Sequence, residues 1–154
     1  MRLYLVQHGE AKSEQIDPER RLTDKGRRDV EKVSSFLKRL DLRVAAIWHS
    51  GKPRAAETAR ILAAAVAADG GIVRRDGLAP NDPIAPIRQD VNRAEDDLMI
   101  VGHLPFLSRL ASALAAGGES ADAVAFRNGG VVCLERDHRQ LWRLGWIVTP
   151  ELLP

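Results

Sequence analysis

Cysteine is almost absent from this sequence, since Cys133 is the only one among 154 residues. A single cysteine excludes an internal disulfide and the cysteine-rich zinc sites, and it is typical of proteins in a reducing compartment. It lies within the apolar run 131–134, where we expect a small core residue. Spacings typical of metal ligands, such as His-x-x-x-His and Cys-x-x-Cys, are also missing, so we expect no metal.

Long apolar runs are missing too, and no stretch approaches the roughly 18 apolar residues that span a bilayer. The run Leu3–Val6 is too short for a signal peptide. The 23 lysines and arginines are nearly balanced by 21 acidic residues, which gives little electrostatic reason to bind nucleic acid. We therefore expect one globular domain, residues 1–154, in the cytoplasm, with neither nucleic acid nor membrane as a partner.

Short apolar runs alternate with segments of helical periodicity through most of the chain. The predicted strands are Leu3–Val6, Val44–Trp48, Ile72–Arg74 and Leu98–Val101, followed by a hairpin of Gly130–Glu135 and Leu141–Val148. The predicted helices begin after Thr23, run from Arg54 to Ala68, lie around Ile84–Val91, and extend from Phe106 to the Gly117-Gly118 pair. This alternation predicts an α/β fold with a mostly parallel central sheet and helices on both faces.

Polar groups follow three of the predicted strands directly. His8-Gly9 follows the first strand, Ser50 follows the second with Arg54 one helical turn further on, and Gly102-His103 follows the strand ending at Val101. Ligands of such folds bind beyond the carboxyl ends of the strands. The sequence thus predicts a site where two histidines and an arginine meet.

This combination of side chains suits phosphoryl chemistry. A neutral imidazole can attack phosphorus and become phosphohistidine, while a second, protonated imidazole and an arginine stabilise the oxygens of the transferring group. Glycines beside His8 and His103 let the backbone approach a phosphate. Structural hydrogen bonding by these histidines, or a metal site, are the alternatives. His49 is predicted to support its neighbours, and His138, in a charged turn, to be solvated.

Four motifs in order resemble the histidine phosphatase superfamily, the phosphoglycerate-mutase-like group with an Arg-His-Gly signature. They are L-V-Q-H-G-E-A, R-R-L-T-D-K-G, W-H-S-G-K-P-R-A-A-E-T-A and V-G-H-L-P. The short length and the closing L-G-W-I-V-T-P-E-L-L most resemble the SixA-type phosphohistidine phosphatases. The resemblance implies a three-layer α/β/α sandwich and a hydrolase that needs no metal or organic cofactor.

The resemblance also implies a role for each matching residue. His8 corresponds to the nucleophile and His103 to the second catalytic histidine. Phosphate binding falls to Arg54 and Arg20, with Arg21 standing where the motif has proline. The remaining positions expected to bind phosphate are Gln7 and Gly9.

Gln7 departs from the signature, which has arginine at that position. Glutamine has amide donors but no charge, so we expect a loss of roughly 1.5–3 kcal/mol in phosphate contact. No motif selects a general acid, although Asp82 and Asp90 lie in a plausible region. Phosphohistidine needs an acid least, because its imidazole leaves more easily than an alkoxide.

The sequence therefore predicts a phosphohistidine phosphatase that acts on a phosphorylated protein through phospho-His8. A chain this short has little material for a lid, and an open site would admit a side chain on another protein's surface. Two alternatives stay open. One is a phosphomonoesterase for a small phosphorylated metabolite, and the other is a non-catalytic module that binds phosphorylated ligands.

Overall fold

Eight strands and four helices make up the chain in a computed structural model that describes residues 1–154. The strands are β1 (Arg2–Gln7), β2 (Arg43–Val44), β3 (Ile47–His49), β4 (Ala67–Ala68), β5 (Ile72–Arg74), β6 (Leu98–Gly102), β7 (Val131–Arg136) and β8 (Trp142–Val148). The helices are α1 (Asp24–Lys38), α2 (Pro53–Leu62), α3 (Ala85–Arg93) and α4 (Phe106–Ala115).

Six strands form the central sheet in the order β5-β3-β6-β1-β7-β8. The first four of these are mutually parallel, whereas β7 runs antiparallel to both β1 and β8. The predicted α/β fold with a mostly parallel sheet is confirmed, as is the final hairpin. Because β3, β6 and β1 are consecutive neighbours, the three junctions singled out in the sequence lie side by side at one edge.

Two apolar cores lie on the two faces of this sheet. Leu3 and Leu5 of β1 pack with residues of α3 and α4, whereas Tyr4 and Val6 pack with residues of α1 and α2. Strand alternation explains the division, because successive side chains point to opposite faces. All four side chains are essentially inaccessible to solvent, so β1 is a rigid base for the residues that follow it.

Helix α1 begins where the sequence predicted, after Thr23. The Thr23 hydroxyl accepts a hydrogen bond from the Gly26 N–H at 2.9 Å, which satisfies one of the free donors of the first turn. Gly26 is required by contact, because a β-carbon there would lie only 2.1 Å from the Glu10 carbonyl oxygen. The first turn of α1 thus packs directly on the segment that follows β1.

Two predicted elements were wrong in extent. The helix expected over Arg54–Ala68 ends at Leu62, and Ala67–Ala68 pairs with Arg43–Val44 as a separate two-stranded sheet. The strand expected over Val44–Trp48 is accordingly divided between this small sheet and β3. The helix ends early because the following residues pair with a distant segment. The carbonyl oxygens of Leu42 and Val44 accept backbone hydrogen bonds from residues 67 and 69.

The other helices match the predicted segments, α3 around Ile87 and Val91 and α4 from Phe106. Cys133 is buried in β7, as its apolar neighbours indicated, and burial raises the pKa of its thiol to about 12. None of the four helices combines the length and apolar character needed to cross a membrane.

Candidate active site

The site lies where β1, β6 and β3 end. His8 follows β1, His103 follows β6, and Ser50 follows β3. The imidazole rings of His8 and His103 are 5.0 Å apart between centroids and inclined by 52°. Arg54 reaches the same place from the first turn of α2, where Pro53 occupies the first helical position. The structure thus brings together the two histidines and the arginine that the sequence predicted.

Two hydrogen bonds fix the tautomer of His8. Its Nδ1 lies 2.7 Å from the Gly9 carbonyl oxygen, which can only accept, so Nδ1 carries the ring proton. On the other side of the ring, Arg54 Nε donates to His8 Nε2 at 3.3 Å, and this requires the Nε2 lone pair. The geometry therefore exposes Nε2 as the basic atom of the imidazole.

Burial keeps this imidazole neutral. Desolvation, with the positive charges of Arg54 and Arg20, lowers the pKa of His8 to about 4, against the opposing effect of its bond to Gly9. At neutral pH the Nε2 lone pair is consequently available. A neutral imidazole beside fixed cations is the state required of a nucleophile that attacks a phosphorylated substrate.

Thr58 secures the backbone that holds His8. This side chain is wholly buried in α2, and its hydroxyl accepts a hydrogen bond from the Gly9 N–H at 3.0 Å. The same hydroxyl donates to the Arg54 carbonyl oxygen at 2.8 Å. Thr58 therefore connects the residue that orients the His8 ring to the helical turn that carries Arg54.

Both polar groups of the Gly9 backbone have partners within the protein. The sequence interpretation offered its backbone to a phosphate, but its N–H is bonded to Thr58 and its carbonyl accepts from His8. A side chain is excluded there, because a β-carbon would lie 2.9 Å from Val30 Cγ2 and 3.0 Å from the Gly26 carbonyl oxygen. In the structure the Gly9 backbone orients His8, and its contact with phosphate stays a prediction.

His103 is buried and held at one nitrogen only. Its Nε2 lies 2.6 Å from Ser50 Oγ, which also accepts a hydrogen bond from the Lys52 N–H at 3.3 Å. Its Nδ1 is buried without any hydrogen-bond partner, and the side chain is only 1% exposed. A buried polar atom without a partner is costly and is characteristic of sites that a ligand completes.

The protonated state expected for His103 concerns the ring while it stabilises a transferring phosphoryl group, and it stays a prediction. Burial, together with the protonated form of His8 and the positive charges of Arg54, Lys52 and Arg20, lowers the pKa of His103 to about 3. The imidazole is therefore neutral at neutral pH. A bound anion would oppose these effects, because a nearby negative charge favours the protonated ring.

Two arginines place positive charge around the histidines. Burial, with a contribution from Arg20, lowers the pKa of the Arg54 guanidinium from its ordinary value, but an arginine remains charged. Arg20 adopts a left-handed backbone with φ of 50°, and its Nε donates to the Lys12 carbonyl oxygen at 3.1 Å. Neither guanidinium has a carboxylate partner, so both charges are available to an anion.

Gln7 directly precedes His8, and its amide is not free. Its Nε2 donates to Asn128 Oδ1 at 2.7 Å, and its Oε1 is buried without a partner. Asn128 belongs to the segment that leads into β7, and the next residue, Gly129, donates its N–H to the carbonyls of Gln7 and His8. The side chain at the signature arginine position is thus tied to the protein.

Three of the other residues considered in the sequence have structural partners, and the fourth is exposed. Asp90 pairs with Arg75, and the Asp82 carboxylate accepts from the Ala79 N–H at 2.9 Å. His49 Nδ1 accepts from the Gly51 N–H at 3.1 Å, and burial is the main cause of its lowered pKa. His138 is exposed in the turn between β7 and β8. No three histidine, cysteine, aspartate or glutamate side chains form a group that could hold a metal ion.

Sequence reasoning missed Thr58 and Asn128 and gave Ser50 no defined role. Thr58 stands one helical turn after Arg54, and that spacing could have suggested a hydroxyl facing the same site. Asn128 carried no such signal, because it lies 121 positions from its partner Gln7.

The family model that matches this chain is the histidine phosphatase superfamily (branch 1), over residues 3–79. That segment contains His8, Arg20, Arg54 and Thr58. The chain belongs to the histidine phosphatase superfamily. This confirms the membership predicted from the four motifs.

The chain also resembles one relative in sequence and several solved structures in fold. An uncharacterized protein of Picosynechococcus is 33% identical over 141 residues, covering 87% of this chain and 84% of the relative. The structure of the protein histidine phosphatase SixA complexed with tungstate superposes with a TM-score of 0.85, at 16% identity and 99% coverage of both chains.

Two further solved structures share the fold. A putative phosphohistidine phosphatase SixA from Agrobacterium tumefaciens is 23% identical, with a TM-score of 0.76 and coverage of 96% of this chain and 97% of that chain. A phosphoserine phosphatase from Entamoeba histolytica, in complex with phosphoserine, is 14% identical, with a TM-score of 0.75 and 99% coverage of both chains. At such identities the likeness concerns the fold alone.

Proposed function

We propose that this superfamily member is a phosphatase that forms phospho-His8 and that its substrate is a phosphohistidine side chain of another protein. The observation that carries the proposal is the state of His8. Its Nδ1 proton is engaged by Gly9, its pKa is about 4, and its Nε2 lone pair faces Arg54. The ring needs no proton transfer before it attacks.

The first chemical step uses that lone pair. Nε2 of His8 forms a bond to phosphorus while the bond between phosphorus and the substrate nitrogen breaks. The substrate ring carries a proton on its other nitrogen and departs as neutral imidazole. Arg54 transfers its hydrogen bond from Nε2 to a phosphoryl oxygen, and Arg20 adds positive charge. In the second step water attacks phosphorus, the bond to Nε2 breaks, and inorganic phosphate leaves with the protons of that water.

His103 is proposed to stabilise the transferring group through Nδ1. Ser50 Oγ already accepts from the Lys52 N–H, so its own proton can be donated to His103 Nε2. Nδ1 would then carry the ring proton, and this is the nitrogen that lacks a partner. A phosphoryl oxygen would satisfy that donor, and its negative charge would favour the protonated imidazole during transfer.

The placement of the two candidate acids supports phosphohistidine over an alkyl phosphate. Asp90 is paired with Arg75, and the Asp82 carboxylate is bonded within its own loop. An alkoxide leaving group has to be protonated as it departs, whereas an imidazole with a pKa of about 6.5 departs without such help. A site without a free carboxylic acid therefore suits cleavage of a phosphorus–nitrogen bond.

The test is rapid-quench labelling with radioactive phosphoramidate, followed by peptide mapping under alkaline conditions that preserve phosphohistidine. We expect label on His8 that is lost to water on longer incubation, and none on a His8→Ala variant. His138→Ala is the matched control, because His138 is an exposed histidine in a turn and should leave labelling unchanged. Full phosphatase activity in His8→Ala would overturn the mechanism.

The same preparation separates the two alternatives. A small-metabolite phosphomonoesterase would turn over alkyl phosphates faster than a phosphohistidine peptide. A module that only binds phosphorylated ligands would bind inorganic phosphate in calorimetry but give no label from any donor. Either result would replace the proposed substrate or the proposed activity.

A further inference from the structure

The surface around the site has two flanks of different charge. One, here called the neutral flank, carries three acidic residues whose charges are matched by cations. Lys25 lies 2.6 Å from Asp29 and 3.9 Å from Glu10, and Arg127 lies 3.7 Å from Glu151. Lys32, which lines the same depression and donates to the Pro150 carbonyl oxygen at 3.4 Å, is the third cation. An approaching anion meets no excess of positive charge on this side.

The opposite flank, here called the basic flank, consists of Lys52 and Arg74. Lys52 immediately precedes α2 and is close enough to His103 to contribute to its lowered pKa. Arg74 ends β5 and similarly contributes to the lowered pKa of His49. Neither side chain has a carboxylate within salt-bridge distance or donates any hydrogen bond, so both charges lack a partner in the protein.

Arg74 is held against the backbone next to the catalytic residues. A β-carbon on Gly51 would lie 2.7 Å from Arg74 Nε and 3.2 Å from its Cζ, so the guanidinium occupies the space that a side chain would need. Gly51 also has φ of 88°, a conformation that favours glycine. It directly follows Ser50, whose Oγ is 2.6 Å from His103 Nε2.

Two acidic side chains of neighbouring elements are already paired with other cations. Glu57 of α2 faces Arg27 at 3.5 Å, and Asp90 is paired with Arg75, whose guanidinium lies 4.1 Å from the centre of the Trp48 ring. Clustered positive charges that the protein leaves unpaired attract anions and steer them to the adjacent cleft. The phosphoryl site itself is already supplied with Arg54 and Arg20, so the basic flank is available to a different group.

We propose that Lys52 and Arg74 form a subsite for a second anionic group, a carboxylate or phosphate carried by the same substrate as the phosphoryl group. The subsite deepens the proposed function and rests on it. In a phosphoprotein the second group would be an acidic side chain near the phosphorylated residue, and in a small molecule it would be a carboxylate. The charge difference between the flanks would also orient the substrate, with its acidic side over β3 and β5.

The test uses phosphonates, which bind like phosphoryl groups but cannot be hydrolysed, so it does not depend on turnover. Affinities for methylphosphonate, 3-phosphonopropionate and 6-phosphonohexanoate are measured by calorimetry at low ionic strength. Partly exposed ion pairs are weak, so we expect a carboxylate-bearing ligand to bind only roughly three- to tenfold more tightly than methylphosphonate. Tighter binding of 3-phosphonopropionate alone would indicate that the substrate is a small molecule. Tighter binding of 6-phosphonohexanoate would indicate that the second group is an acidic side chain near the phosphorylated residue of a protein.

Variants assign the preference to the basic flank. The preference is the ratio of the affinity for the carboxylate-bearing ligand to the affinity for methylphosphonate. Arg74→Gln should reduce this ratio to near one, and Arg74→Lys should retain part of the preference. Arg28→Gln is the matched control, because Arg28 is an exposed arginine on α1 without a salt bridge, and the preference should persist.

Two results would contradict the reasoning at different levels. If methylphosphonate binds but neither carboxylate-bearing ligand binds more tightly, the subsite is wrong and the proposed phosphoryl site stands. If methylphosphonate itself does not bind, the proposed function fails and the subsite fails with it.

Discussion

Replacing Thr58 by valine tests whether the active-site backbone is held as described. Valine has nearly the same shape as threonine but no hydroxyl, so the Gly9 N–H would lose its only partner in a buried position. A buried donor left without a partner costs about 1–3 kcal/mol. For a chain of 154 residues this corresponds to a fall in melting temperature of roughly 2–12 °C.

Activity should fall in the same variant, because the Gly9 carbonyl that orients His8 belongs to the segment released by the change. The expected result is a lower rate of His8 phosphorylation together with the loss of stability, measured by rapid quench and by urea denaturation. The label should still appear on His8, since the nucleophile itself is intact.

Thr58→Ser is the matched control for the hydroxyl. Serine keeps both hydrogen bonds but removes a buried methyl group, which costs about 1 kcal/mol. We therefore expect Thr58→Ser to lose some stability and to keep the rate of His8 phosphorylation. If Thr58→Val were as stable and as active as the parent protein, the link between α2 and the His8 segment would not matter, and the argument would be refuted.

Three further predictions concern the charged and titrating groups. Gln7→Arg should raise the affinity for inorganic phosphate, measured by calorimetry, by about 10- to 100-fold. Gln7→Met, which also removes the hydrogen bond to Asn128, should not raise it. Equal affinities of the two variants would show that the side chain at position 7 points away from the phosphate site. Ser50→Ala should change the ¹⁵N signature of the His103 tautomer, and Ser50→Thr should restore it; an unchanged spectrum would remove Ser50 from the mechanism. In a ¹⁵N titration His8 should stay neutral down to about pH 4. Because the pKa of histidine in the unfolded chain is about 6.5, acidification from pH 6.5 to about pH 4 should lower the free energy of unfolding. A titration midpoint of His8 near pH 6.5 in the folded protein would contradict this.

The placement of the site could be predicted because it depends on local patterns. Apolar runs such as Leu3–Val6 mark buried strands, and the fold class dictates that their carboxyl ends meet. The polar residues that directly follow those runs were therefore candidates before any coordinates. His8, His103 and Arg54 were identified in this way, and the structure brings them together.

What could not be predicted depends on contacts between distant segments. Ala67–Ala68 continues an alanine-rich helical pattern, and only its pairing with Arg43–Val44 makes it a strand. The neutral state of His103 depends on its burial and on the cations around it, which no spacing reveals. Asn128 reaches Gln7 because β7 runs opposite to β1, so that its beginning lies at the carboxyl edge of the sheet.

The position of β1 has a consequence for how this chain folds. The first strand lies between β6 and β7, and both neighbours are contributed by residues after position 97. Residues 3–79, which carry most of the superfamily motifs, therefore cannot pair either edge of β1 by themselves. During synthesis β1, which precedes the nucleophile, cannot join the sheet until β6 and β7 have been made. Its pairing closes long loops, and the entropy cost of closing them makes this pairing slow. We expect phosphate binding to be acquired only after the last hairpin is in place.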